Sequence, residues 1–374
     1  MTEISKTPVS DFDAAVRLLS GGTNVAIYND IGLPTIYVRK DKGTIGDVTA
    51  GLSNYTKTHP AFIVNSVEIP AFYMGKYQAV VYKGRALSLP MQDPSVKAIA
   101  ESNRGAANNV NVTFDNAKIW CEANGVGFHL ATLPEYAWVA LSAFENCTLP
   151  RGNNNYGSDI DNSNEIGVCA YHDGTNITRT LTGSGPVTWN DNWKPDGICD
   201  LNGNIYEWQG GYRIVDGEIQ ILPNNNAAMQ FSQGVDSTYW SAILPNGTLV
   251  APGTAGTLKW DYVSSTSSSF RLNTQVVNSD RDGGYGSNMF KSLSIASGTS
   301  VPDILYILAL MPNGSSSALP DDKVYMRNVG ERVTLRGGYY HTDVAAGVFC
   351  IDGSNGRNSY SENVGFRPAF IPGI

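Results

Sequence analysis

The sequence predicts an α+β protein with few helices, many short antiparallel strands and abundant loops. Three observations carry that expectation. Of 374 residues, 42% are hydrophobic and only 16% charged, so a sizeable core is affordable and disorder as the main state is excluded. Thirty-nine glycines and 18 prolines, among many Asn, Ser and Thr, call for frequent turns. Apolar residues recur with helical spacing at only a few places, all before Pro150. The formal charge of −8, from 26 basic and 34 acidic residues, disfavours a surface built to neutralise phosphates, so nucleic acid is not the expected partner.

The elements follow in chain order. Residues 1–60 read as a small separate unit for attachment or an accessory role. In it Ser10 or Asp11 caps a short helix carrying Phe12, Ala15, Val16 and Leu19, which Gly21-Gly22 stops. Strands are expected over Asn24–Tyr28 and Thr35–Arg39. A second helix runs from about Thr113 to Ala123, with Ala117, Trp120 and Cys121 on one stripe and Asn124-Gly125 ending it. A third begins at Thr132, where Thr132-x-x-Glu135 is a capping box and Pro134 lies in the first turn. Its Ala137, Ala140, Leu141 and Phe144 share a face. Beyond it, strands are expected at Glu218–Leu222, Val324–Arg327 and Val333–Leu335, and residues 263–269 form a loop. Asn202-Gly203-Asn204 supplies positive-φ turn residues, after which Tyr206 and Trp208 point to one side of a strand. Residues 225–330 read as an insertion.

The five cysteines (Cys121, Cys147, Cys169, Cys199 and Cys350) show no CxxC spacing, which points to neither a disulfide framework nor a zinc site. No apolar run reaches the length of a membrane span, and no secretory signal is visible at the N-terminus.

Four segments in order resemble one family: Val67–Tyr77 (VEIPAFYMGKY), His129–Trp138 (HLATLPEYAW), Asp200–Trp208 (DLNGNIYEW) and Arg336–Phe370, which begins RGG and ends NVGFRPAF. Together they resemble the formylglycine-generating-enzyme (sulfatase-modifying) type of C-type lectin fold, over roughly residues 65–374. The resemblance implies a ligand-binding domain spanning 61–374. Oxidising members carry two active-site cysteines soon after the RGG, and here Tyr339–Ala346 contains none, with Cys350 alone and later. His59, His129, His172 and His341 are scattered and supply no clustered ligand set. The expectation is therefore no catalytic residues, no metal centre and no cofactor, with a structural calcium near Asn202 and Glu207 allowed by family resemblance. Trp189-Asn190-Asp191 matches a calcium-lectin motif but lacks its upstream companion, so it reads as chance.

The C-terminal segment resembles, more closely, the variable region of proteins diversified by retroelements, known from phage receptor-binding proteins and related bacterial and archaeal proteins. Its framework positions are Arg336, Gly337, Gly338, Tyr340, Gly347, Phe349, Arg357, Asn363, Gly365, Phe366 and Arg367. Tyr340 stands where Trp is commoner, and Gly353 where an aliphatic residue is commoner. Between them lie Tyr339, His341, Thr342, Asp343, Val344, Cys350, Asp352, Ser354, Asn355, Asn358, Ser359 and Tyr360, the expected ligand-binding set. Such systems exchange adenines of Asn codons, and changes at the first two bases cannot yield Lys, Gln, Glu, Met or Trp. None of those types occurs in the set. Tyr for rigid amphipathic area, with Ser, Asn, Asp and Thr for short polar reach, is the composition of an adaptable binding surface. The resemblance thus implies a non-catalytic binder of a protein or glycan on a target surface, without membrane insertion, displayed on a virion or cell surface. The alternatives are a sulfatase-modifying-type oxidoreductase and a fixed structural or adhesin domain of the same fold.

Overall fold

A computed structural model describes residues 11–52, 54–94, 97–99, 109–280, 284–313 and 318–374. The helices are α1 (Asp11–Leu19), α2 (Phe114–Glu122), α3 (Leu133–Glu145) and α4 (Asp303–Ile307). Strands used below are β1 (Asn24–Tyr28), β2 (Pro34–Asp41), β3 (Ala71–Gly75), β4 (Phe128–Leu130), β5 (Tyr206–Val215), β6 (Glu218–Ile221), β7 (Lys259–Tyr262) and β8 (Phe270–Asn273). They continue with β9 (Gly286–Met289), β10 (Ser294–Ile295), β11 (Lys323–Met326), β12 (Glu331–Gly337), β13 (Gly347–Gly353), β14 (Val364–Phe366) and β15 (Pro368–Phe370).

Local chemistry sets the two long helices. Thr113 accepts the Asn116 N–H to start α2, whose Ala117, Trp120 and Cys121 are buried. Thr132 and Glu135 exchange the two bonds of the capping box at the start of α3. In α3, Ala137, Ala140 and Leu141 are buried, and Phe144 packs edge-on to Phe349. No described helix is long and apolar enough to cross a membrane.

A five-stranded sheet runs in the order β1-β2-β3-β15-β4. It crosses the boundary expected near residue 60: β2 pairs along β3 from Tyr37↔Gly75 to Asp41↔Ala71. The N-terminal segment is therefore not a separate unit at the level of strand pairing. Its helix also departs from expectation, because Phe12 and Leu19 are exposed. Helix α1 docks through a polar group instead, Asp13 accepting the Ala26 N–H at 2.8 Å and the Arg17 guanidinium at 2.8 Å.

A larger, twelve-stranded sheet has the main path β9-β11-β13-β12-β5-β6-β7-β8-β10, with β14 added beside β5. The insertion 225–330 is absorbed here, since β7, β8, β9 and β10 extend the sheet. Residues 263–269 join β7 to β8 as a loop. One face of this sheet buries Val324, Met326 and Ile351 with α3 and α4. The other buries Trp208, Val333, Leu335, Cys350 and Phe366 with α2.

Candidate functional site

The segment 336–370 is held by buried and half-buried side chains. Arg367 is fully buried; its guanidinium reaches both Glu207 oxygens, at 2.6 and 2.9 Å, and the carbonyls of Gly75 and Cys199 at 2.9 Å. Burial disfavours that charge, but the Glu207 carboxylate outweighs it and lifts the Arg367 pKa above its ordinary value. Gln78 takes a further bond to Glu207, at 3.1 Å. Glu207 is thus committed to Arg367 and Gln78, and Asn202 to the Pro150 carbonyl. The Asn202 bond is donated by its Nδ2, at 2.9 Å, and the Arg367–Glu207 pair closes at 2.6 Å. Among the described residues no group of three or more His, Cys, Asp or Glu could hold a metal ion.

Arg336 is buried under the Tyr136 ring, donating to Gln209 Oε1 at 3.2 Å, and desolvation pushes its pKa down to about 10. Arg357 pairs with Glu331 at 2.9 Å and Asp115 at 2.7 Å. Phe366 packs against Trp120, and Phe349 stacks on Phe290. Gly365 pairs with Glu207 in the parallel β5–β14 register, and the Asn363 carbonyl accepts the Tyr206 N–H. Gly337 and Gly338 have φ of +90° and +79°, and a Cβ on Gly338 would lie 2.6 Å from Ala346 Cβ. Gly353 has a steric reason as well: a Cβ there would meet Met326 Sδ at 2.8 Å and Ile214 Cδ1 at 2.9 Å.

On this support lies an open cavity of about 360 Å³. From the predicted ligand-binding set it is lined by Tyr339, His341, Thr342, Asp352, Ser354 and Asn355, joined by Tyr206, Tyr285, Tyr325 and Leu335 from elsewhere. Strand register assembles it: Tyr325 of β11 lies opposite Asp352 of β13, which lies opposite Leu335 of β12. Tyr206 and Tyr339 have ring centroids 5.5 Å apart, as do Tyr285 and Tyr325. Burial pushes the phenols of Tyr206 and Tyr325 far up, so they present neutral rings and hydroxyl donors. Asp352 Oδ1 accepts from the Ser354 N–H at 2.9 Å and the Ser354 hydroxyl at 2.6 Å.

The remaining predicted residues are dispersed. Cys350 must be corrected: it is fully buried, and its thiol meets the Tyr206 hydroxyl. It points to the same side as Asp352, as strand alternation requires, but Tyr206 closes over it. Burial holds its thiol well above the usual range, which disfavours the thiolate. Val344 lines a separate acidic cleft with Asp159, Asp321 and Asp322. Asp343 is half-buried at φ +53°, its N–H donating to the Asn154 carbonyl. Asn358 and Tyr360 are exposed and Ser359 half-buried on the loop after β13. Thr342 is 8% exposed because its hydroxyl accepts the Tyr339 N–H, yet it still borders the cavity. Tyr340, a framework position, is half-buried beside Tyr339, its carbonyl accepting the Tyr156 N–H.

The histidines do not converge. His59 is buried against the Ile307 carbonyl, His129 against Glu135, and His172 is exposed on a hairpin. Only His341 reaches the cavity, where it lies 4.4 Å from the Tyr156 ring.

No family model and no curated protein matches this chain. Among solved structures, Treponema denticola variable protein 1 aligns at 12% identity and a TM-score of 0.33, over 93% of this chain and 99% of its own. The Major Tropism Determinant I1 variant aligns at 11% and 0.33, over 90% of this chain and 62% of its own. PvdO from Pseudomonas aeruginosa aligns at 12% and 0.32, over 90% and 94%. Likeness at this level assigns no function.

Proposed function

We propose that this chain is a non-catalytic ligand-binding protein of C-type lectin fold, whose segment 336–370 is varied by a retroelement to change the target. The observation that carries the reading is convergence. Six residues of one short segment, expected to vary for reasons unrelated to geometry, line a single open cavity on a backbone pinned by buried partners. A fixed support with exchangeable side chains is the arrangement that lets specificity change while the fold stays. The absence of catalysis is supported by the covered, protonated Cys350 and by the separation of the histidines.

The ligand is a protein or glycan on a target surface, and the protein is carried on a phage particle or a cell surface. One cavity of this size buries little area, so several copies on one carrier supply avidity. Residues 1–60 contribute the attachment, a role supported by Leu18 and Leu19, which α1 exposes at 84% and 83%.

Segment exchange tests the reading. A second variable segment, grafted between Arg336 and Phe370 with the framework positions retained, is expected to change the captured target and preserve the melting temperature. Loss of folding in such grafts refutes the division of roles.

A further inference from the structure

We infer that the cavity bounded by Tyr206, Tyr285, Tyr325, Tyr339 and Asp352 receives a cationic side chain, lysine or arginine, presented by a target protein. The inference rests on the binding role proposed above and narrows its ligand. Three observations converge on a positive group. Four phenol rings line one space of about 360 Å³, in two pairs with centroids 5.5 Å apart. The negative faces of such rings attract a cation within about 6 Å.

The lining also holds one carboxylate, Asp352, and neither lysine nor arginine. The closest guanidinium in sequence, Arg357, has its donors on Glu331, Asp115 and the Gln233 carbonyl, so it does not neutralise the site. Burial raises the Asp352 carboxyl above its ordinary range, and an entering cation would supply the opposite charge that the protein withholds. The whole chain adds to the bias with a formal charge of −8. Acidic glycans are disfavoured by sign. A neutral sugar could stack on the tyrosines but would leave Asp352 without a counter-charge.

The test is an NMR titration of the full chain carrying labelled tyrosine rings. The probes are acetyl-Gly-Lys-Gly-amide, the same peptide with its lysine acetylated, and methyl β-glucoside. The lysine peptide is expected to shift the rings of Tyr206, Tyr285, Tyr325 and Tyr339 saturably. Acetylating the lysine, or substituting Asp352→Asn, is expected to weaken binding about fivefold or more. Asn keeps an oxygen for the Ser354 donors; should it nonetheless unfold the protein, Tyr285→Ala provides the second variant. Tyr285 is 58% exposed, so its loss spares the fold and is expected to weaken binding about two- to fivefold.

Equal binding of both peptides, or ring shifts with the glucoside alone, overturns the cationic ligand and leaves the binding role standing. No shift with any probe overturns it too. The binding role itself fails by a different result, the unfolding of segment grafts.

Discussion

Cys350 and Asp352 sit two residues apart on one strand, on the same face, and meet opposite fates. Cys350 lies beneath the Tyr206 hydroxyl and is sealed. Asp352, one step further along β13, borders the open cavity. The same contrast holds across the segment: Arg336, Phe349, Phe366 and Arg367 are buried, whereas His341, Asn358 and Tyr360 face water. Strand alternation decides the side on which a residue falls. Whether that side is covered depends on a strand more than a hundred residues away in sequence. Tolerance to change should therefore follow cover, and not position within the segment.

The contrast can be broken at several points. The largest effect is expected at the buried ion pair: Arg367→Met should cost about 3–5 kcal/mol by denaturant unfolding, because Glu207 is left buried and unpaired. The double change with Glu207→Leu should recover part of that loss, and a cycle showing no coupling would deny the pair its anchoring role. Next comes Cys350→Tyr. A phenol has no room under Tyr206, so a loss of about 1–3 kcal/mol is expected. An unchanged melting temperature would show that this floor is plastic and restore Cys350 to the expected ligand-binding set.

Asp322 sharpens the comparison through pH. It is buried, accepts the Phe349 N–H at 2.8 Å, and burial raises its carboxyl from 3.8 to about 8. A folded-state value above the unfolded one means its contribution is complete below pH 3.8 and disappears as pH rises through about 8. Asp322→Asn, which keeps the acceptor oxygen, should flatten that decline in a series of thermal melts. A wild-type curve with no slope across the window would contradict it. The smallest effect belongs to Tyr360→Ala, expected within about 0.5 kcal/mol of the parent because the ring is 54% exposed.

Local chemistry made part of this legible in the sequence. The caps at Thr113 and Thr132, the strand Asn24–Tyr28 and the positive φ of Gly203 and Asn204 follow from residues within a few positions of each other. A carboxylate for Arg367 was also foreseeable, since a buried guanidinium requires one, although its identity as Glu207 was not. Pairing between distant strands was not legible. No local pattern announces that β1 and β2 form one end of the sheet completed by β15, or that Tyr325 stands opposite Asp352. Tyr206, Tyr285 and Tyr325 were missed as cavity residues for that reason. Tyr206 and Tyr325 carried a signal, as aromatics of expected strands, but nothing indicated which sheet face they would cover.

Strand β15 occupies an interior place in the five-stranded sheet, between β3 and β4, and pairs with both. Its residues Pro368–Phe370 follow positions 339–360, so this place in the sheet is filled only after the cavity segment has been synthesised. A chain cut short before Arg367 lacks both the strand that joins β4 to the other three and the guanidinium that pairs with buried Glu207.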